Sequence, residues 1–263
     1  MEFRHLVVKE EPPAAVIRLN RPEKRNALSL DLMDEMLAAL QQVGPSPGIQ
    51  VIVVEAAGPA FSAGHDLGEM AGREPAFYRR LFDVCTQMME MLHRVPQPVI
   101  AKVQGVATAA GCQLVAACDL AVASDEARFG TPGVRIGLFC STPMVAVSRA
   151  IGRKRTMEML LTGELIDART ALEWGLVNRV VPAAELDRAV DQLVAAIARW
   201  SPRTIGIGKE AFYRQLDLDE HRAYELTASV MSTSSVTADA QEGICAFLEK
   251  RPPRWPDDPP SAS

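Results

Sequence analysis

Two stretches of small residues hold the positions where this chain could do chemistry through its backbone. Phe61-Ser62-Ala63-Gly64-His65-Asp66-Leu67 follows an apolar run, Val51 to Ala56, and the turn signal Gly58-Pro59. With little bulk at Ala63 and Gly64, a ligand can approach the backbone N–H groups closely; a plain turn has the same composition. The second stretch, Val103-Gln104-Gly105-Val106-Ala107-Thr108-Ala109-Ala110-Gly111-Cys112-Gln113-Leu114, passes from a strand into an apolar helix. A helix start without bulky side chains offers free N–H donors to a developing negative charge. Tight helix packing that requires small residues is the competing reading. Metal chemistry finds less support: His5, His65, His93 and His221 have no metal-ligand spacing, and Cys85, Cys112, Cys118, Cys140 and Cys245 form no CxxC pair. Reduced, mostly buried thiols are expected, with no metal.

Positioning these stretches requires a layered α/β scaffold, and the apolar pattern supplies one. Ala14 to Leu19, Val51 to Ala56, Val99 to Val103 and Leu120 to Ser124 read as strands. Helices are expected at Leu30 to Val43, capped by Ser29, and at Phe77 to His93, where Leu81, Val84, Met88 and Leu92 share a face. Beyond about Thr142 the strand signal fades. Helices are then expected at Pro143 to Ile151, Thr156 to Leu161, Ala168 to Trp174, Leu186 to Trp200 and Thr204 to Gln215, with two more before the C-terminus. The Pro-rich ending, from about residue 256, is expected to be a disordered tail.

At 263 residues and 48% hydrophobic content the chain can bury a large core. A net charge of -5 without a Lys/Arg block argues against nucleic acid as a partner. No apolar run is long enough to span a membrane, and the charged start MEFRHLVVKEE does not read as a signal peptide, so no membrane association and a cytoplasmic location are expected.

In order along the chain, these segments resemble the enoyl-CoA hydratase/isomerase (crotonase) family. Arg21 to Ser29 is similar to its RPxxxNAL opening, Phe61 to Met70 to its FxAGxDLxEM loop, and Ala109 to Asp119 to its GGGxxLxxxCD helix start. Phe129 to Pro132 follows its FGxPE segment up to the last residue; Met159 to Ile166, Ala171 to Pro182 and Glu242 to Arg251 match later motifs. The branch named for an enoyl-CoA hydratase domain is the nearest in pattern. The resemblance implies a crotonase spiral of β-β-α units over residues 1–200 and a helical C-terminal region, 201–255, that mediates trimerisation, as a homotrimer or dimer of trimers.

The resemblance also implies the ligand, an acyl-coenzyme A thioester, with coenzyme A arriving as part of the substrate and no separate cofactor. Its oxygen is expected between the backbone N–H groups of His65 and Ala110. Lys24, Ala27, Ala63, Asp66, Leu67 and Gly111 are the expected coenzyme A contacts, with Phe247 and Lys250 reaching the nucleotide, often that of a neighbouring subunit. At the two acid/base positions the chain departs from the family: Gln113 and Gly133 stand where hydratases carry glutamates. Hydration needs one carboxylate to activate water and another to supply the α-proton, which an amide and a glycine cannot do. The segment Ile136 to Thr142, where other branches place a base, holds no carboxylate either. Gln113, Ser141, Cys140 and His65 are left as the polar neighbours of the expected oxyanion site, His65 either as an acid/base or as a bystander. Open alternatives are decarboxylation of a malonyl-type thioester, thioester hydrolysis, and a catalytically silent acyl-CoA-binding protein.

Overall fold

The computed structural model describes residues 3–255, so the ending expected to be a disordered tail lies outside the described residues. The chain opens with a hairpin, β1 (Leu6–Glu11) and β2 (Ala14–Leu19), then a short 3-10 turn at Pro22–Lys24 and helix α1 (Leu30–Val43). Ser29 caps α1 by accepting the Leu32 N–H at 3.2 Å, and Leu32, Met33, Met36, Leu40 and Val43 form the buried stripe that holds it down.

Three units then follow in which a longer strand is succeeded at once by a short one. They are β3 (Val51–Ala56) with β4 (Ala60–Ser62), β5 (Val99–Val103) with β6 (Val106–Thr108), and β7 (Leu120–Ser124) with β8 (Arg128–Gly130). The first is followed by α2 (Leu67–Met70) and α3 (Pro75–Arg94), the second by α4 (Ala110–Ala117), and the third by a 3-10 turn at Pro132–Ile136 and α5 (Pro143–Ile151). The long strands, with the short β10 (Arg179–Val181) at one edge, form a six-stranded sheet in the order β1-β2-β3-β5-β7-β10; the other short strands, with β9 (Leu165–Asp167), form a second sheet, β4-β6-β8-β9. Gly105 permits the tight corner between β5 and β6, because a Cβ there would run into the Pro59 carbonyl group.

Later elements are α6 (Arg153–Thr162), β9 (Leu165–Asp167), α7 (Ala168–Trp174), β10 (Arg179–Val181), α8 (Leu186–Ala198), α9 (Pro202–Gln215), α10 (Glu220–Ser234) and α11 (Ala238–Leu248). The strand signal fades after Thr142 in the sequence, yet β9 and β10 occur there. Each is three residues long, too short to display an alternating pattern, and each is held by its sheet partner. One face of the large sheet packs on α8, joining Val51, Val53, Ile100 and Val122 to Leu186, Val190 and Val194. The opposite face, with Ile52, Val54 and Val99, packs on α1, α3 and α4.

Helix α9 is anchored by a buried polar cluster. The Lys209 ammonium donates to the carbonyls of Leu92 (2.7 Å) and Gln97 (2.8 Å) and pairs with Asp119 at 2.6 Å, and the Tyr213 hydroxyl donates to the same carboxylate at 2.7 Å. Burial lowers the Lys209 pKa, and the attraction and hydrogen bond of Asp119 offset this loss of hydration only in part. Beyond it α10 buries no residue completely, and Phe247 and Leu248 of α11 are 83% and 74% exposed. No helix among the described residues is long and apolar enough to cross a membrane.

Candidate functional site

The loop after β4 is pinned by the segment Arg21 to Leu28. Asn26, fully buried and at φ 52°, donates from its side-chain amide to the carbonyls of Ala57 and Ala60, both at 2.8 Å, and accepts the Arg21 N–H at 2.9 Å. Arg21 in turn pairs with Asp66 at 3.1 Å and donates to the Ala27 carbonyl at 2.8 Å. The other Asp66 oxygen caps α2 through the Gly68 N–H. The Asp66 carboxylate, an expected coenzyme A contact, is therefore engaged in holding the loop.

This pinning dictates which backbone groups remain free. Ala63 N–H donates to the Arg25 carbonyl, Leu28 N–H to the Gly64 carbonyl, and Asp66 N–H to the Leu28 carbonyl. Leu28 and His65 form a parallel bridge, so the Gly64 carbonyl and Asp66 N–H face Leu28 while the His65 N–H, one residue out of phase, faces away. It donates no hydrogen bond within the described residues.

A second free donor arises at the start of α4. Ala109 precedes the helix at φ 50°, ψ -119°, a conformation alanine rarely adopts, and its N–H is held by the Gly130 carbonyl at 2.9 Å. Ala110 is the first helical residue, so its N–H has no partner in the helix. Gly64 brings the two segments together: a Cβ on it would lie 2.8 Å from the Ala109 Cβ and 3.3 Å from the Ala110 nitrogen. Gly111 does the same one residue on, where a Cβ would lie 2.7 Å from the Ser62 Cβ and 2.9 Å from the Ser62 carbonyl carbon. The small residues here thus serve both readings: Gly111 allows close packing, and Ala110 leaves an open donor.

His65 and Ala110 line one cavity of about 520 Å³, together with Ala63, Leu67, Met70, Phe82 and Ala109. The rest of its wall comes from Pro132 to Pro143, including Gly133, Arg135, Cys140 and Ser141. No Asp or Glu lines it among the described residues. The His65 ring stands edge-on to Phe82 at 5.5 Å; Nδ1 faces the Leu28 carbonyl at 3.4 Å, and Nε2 is buried without a hydrogen-bond partner. Loss of hydration lowers the His65 pKa, only partly offset by the Leu28 contact, so the ring is held neutral. Burial raises the Cys140 pKa, against a weaker opposite effect of its hydrogen bond with the Gly133 backbone, which makes this thiol a poor nucleophile.

Against known proteins, residues 10–258 match the model of the family described as enoyl-CoA hydratase/isomerase. The chain belongs to the enoyl-CoA hydratase/isomerase family. A human relative, named enoyl-CoA hydratase domain-containing protein 3, mitochondrial, is 47% identical over 246 residues, covering 92% of this chain and 80% of that protein. The crystal structure of the human domain-containing protein 3 superposes with a TM-score of 0.92 at 45% identity, covering 96% of this chain and 100% of that one. An enoyl-CoA hydratase structure from Mycobacterium smegmatis gives a TM-score of 0.93 at 44% identity, covering 96% and 99%. The crotonase fold expected from the motifs, with a helical C-terminal region, is thus the fold observed.

Within this family fold, the cavity gathers Ala63, His65, Leu67, Ala110 and Ser141 from the residues expected at the site, and leaves out the others. Gln113 lies one turn into α4, 5% exposed, with its side-chain oxygen 4.0 Å from the Cys85 sulfur of α3. Lys24 is exposed on the 3-10 turn after β2, and Ala27 and Gly111 are buried behind the loop. Phe247 lines a separate cavity of about 730 Å³ among the C-terminal helices, and Lys250 follows α11 on the surface. Sequence reasoning passed over Phe82, Met70, Pro132 and Arg135 as wall residues. The first two had a legible signal only as apolar positions on or beside a helix, and Arg135 only as a cation just before the Ile136 to Thr142 segment.

The departure at Gly133 is structural as well as chemical. A Cβ at this position would lie 2.7 Å from the Cys140 sulfur and would collide with the Leu138 carbonyl oxygen, while the Gly133 carbonyl accepts the Leu138 N–H at 3.0 Å. The segment has closed over the space a side chain at 133 would need.

Proposed function

We propose that this protein binds an acyl-coenzyme A thioester in the cavity between the His65 loop, α4 and the Pro132 to Pro143 segment, with the thioester oxygen accepting the backbone N–H groups of His65 and Ala110. The observation that carries this reading is the pair of unpartnered backbone donors brought side by side by Gly64 on the wall of a single apolar cavity. Preorganised donors of this kind stabilise charge on a thioester oxygen as it becomes an enolate, each contributing about 2.7–4 kcal/mol to a transition state. The apolar surroundings suit an acyl chain and strengthen both hydrogen bonds.

The reaction class that agrees with this donor set is one that needs no protein carboxylate. In decarboxylation of a malonyl-type thioester, the bond from the α-carbon to the carboxylate breaks and CO₂ leaves. Its electron pair becomes the enolate held by the two N–H groups, and a solvent proton restores the α-carbon. Hydration is disfavoured because Gln113 and Gly133 carry no acid and, among the described residues, no Asp or Glu lines the cavity. A silent acyl-CoA-binding role is favoured by one observation, the closure of Leu138 and Cys140 over the space beside Gly133.

Mass-spectrometric turnover of crotonyl-, 3-enoyl-, methylmalonyl- and acetoacetyl-CoA, beside a coenzyme A binding titration, separates these readings. Release of CO₂ from the malonyl-type member, with little hydration of crotonyl-CoA, supports the enolate reading, and Ala110→Pro should abolish it by removing one donor. Binding without any product supports the silent role; absence of binding sinks the proposal. The exposed apolar surface of α9 to α11, including Phe212, Met231, Phe247 and Leu248, with Trp200 just before α9, is proposed as the contact between subunits of a trimer, and a stable monomer by sedimentation at micromolar concentration would rule this out.

A further inference from the structure

We infer that the acyl group this cavity prefers ends in a carboxylate, received by Arg135. The inference rests on the acyl-coenzyme A reading above and goes further, since the thioester donors say nothing about the far end of the chain. Among the described residues that line the cavity, Arg135 is the only Asp, Glu, Lys or Arg, and its neighbours on that wall, Pro132, Ile136, Leu138 and Phe139, are apolar.

Its guanidinium forms neither an ion pair nor a hydrogen bond with any described residue, unlike Arg21, Arg149 or Arg251, which each meet an acid. The side chain is also placed. Gly163, at φ 64° just past the end of α6, leaves the room in which it lies: a Cβ on Gly163 would be 3.1 Å from the Arg135 Cγ and 3.2 Å from its Nε. The guanidinium therefore sits beside a helix C-terminus, where the carbonyl dipoles favour a cation, while its donors stay available. Arg135 is exposed, so water screens its charge, yet a cation at the rim of an apolar wall still favours an anionic over a neutral ligand end. The substrate class is a dicarboxylic monothioester, with coenzyme A on one carboxyl and the other free.

The test uses matched pairs of equal chain length titrated calorimetrically against the intact protein: succinyl- with butyryl-CoA, glutaryl- with valeryl-CoA, and adipyl- with hexanoyl-CoA. In at least one pair the carboxylated member should bind about tenfold tighter or more, the size of a hydrogen bond to a charged group. Arg135→Gln should bring that ratio close to one, and Arg135→Lys should retain part of it as a point charge. A ratio near one in every wild-type pair, with the neutral thioesters still bound, overturns the Arg135 assignment and leaves the acyl-coenzyme A reading intact. A ratio that survives Arg135→Gln overturns it too. If no thioester binds, the acyl-coenzyme A reading fails and takes this inference with it.

Discussion

The cavity has two walls built on opposite principles. The wall formed by the His65 loop and the start of α4 is fixed by backbone hydrogen bonds, the Arg21 to Asp66 ion pair, the buried Asn26 and glycines that permit near-contact between segments. The facing wall, Pro132 to Pro143, exposes Val134, Ile136, Leu138 and Phe139 and is held by few bonds. A site that recognises a thioester through backbone donors must fix those donors within a fraction of an ångström, whereas a wall that meets the acyl group needs only shape and, at Arg135, charge. The donor half is held by these bonds, while in the facing half the backbone of Leu138 and the thiol of Cys140 have closed over the space a side chain at Gly133 would need.

Glycine substitutions on the two walls sharpen that contrast most. Gly111→Val should be the most damaging, because its side chain would enter the backbone of Ser62, a residue whose hydroxyl donates to the Asn26 carbonyl at 2.9 Å. A loss beyond about 4 kcal/mol is expected in urea unfolding. Gly137→Ala on the facing wall meets no atom within 4 Å and suffers only from its φ of 74°, so about 1–2 kcal/mol is expected. Equal losses at the two positions would erase the distinction between a rigid and a yielding wall.

The sequence made one wall far more legible than the other. The strands β2, β3, β5 and β7 and the helices α1, α5 and α7 begin and end where the apolar pattern places them, since each has enough residues to show its period. The strands β4, β6, β8 and β9, three residues each, were read as parts of loops or not at all, because their register comes from the neighbouring strand. Likewise Ala63, His65 and Ala110 were findable as small-residue or motif positions, while the inward turn of Phe82 depends on how α3 crosses α4. The filled space beside Gly133 could not be read from residue types, because a glycine in a sequence shows an absent side chain and not what has moved into its place.

Gly133→Glu tests whether the second wall yields far enough to recover hydratase chemistry. Alone or with Gln113→Glu, it should give no measurable hydration of crotonyl-CoA and should cost about 1–3 kcal/mol in urea unfolding, since the new side chain must displace Leu138 and Cys140. Appreciable hydration by the double variant would mean that the segment opens readily and that only the acids had been lost.

The smallest expected effect concerns the rigid wall at acid pH. Burial holds the His65 pKa below the usual histidine value, so the unfolded chain takes up the proton first as the pH falls. Stability is then complete above pH about 6.5 and declines as the pH drops through the window between the unfolded and folded pKa values. His93, stacked on Tyr213 at 3.9 Å and also shifted down by burial, adds to the same decline from a site outside the cavity. His65→Gln should therefore flatten, without abolishing, the loss of stability between pH 7.5 and 5.5 measured by urea unfolding. An unchanged slope would assign the acid sensitivity to His93 and would mean that the His65 ring becomes charged in place. In that event the rigid wall would carry a proton donor beside its two backbone N–H groups.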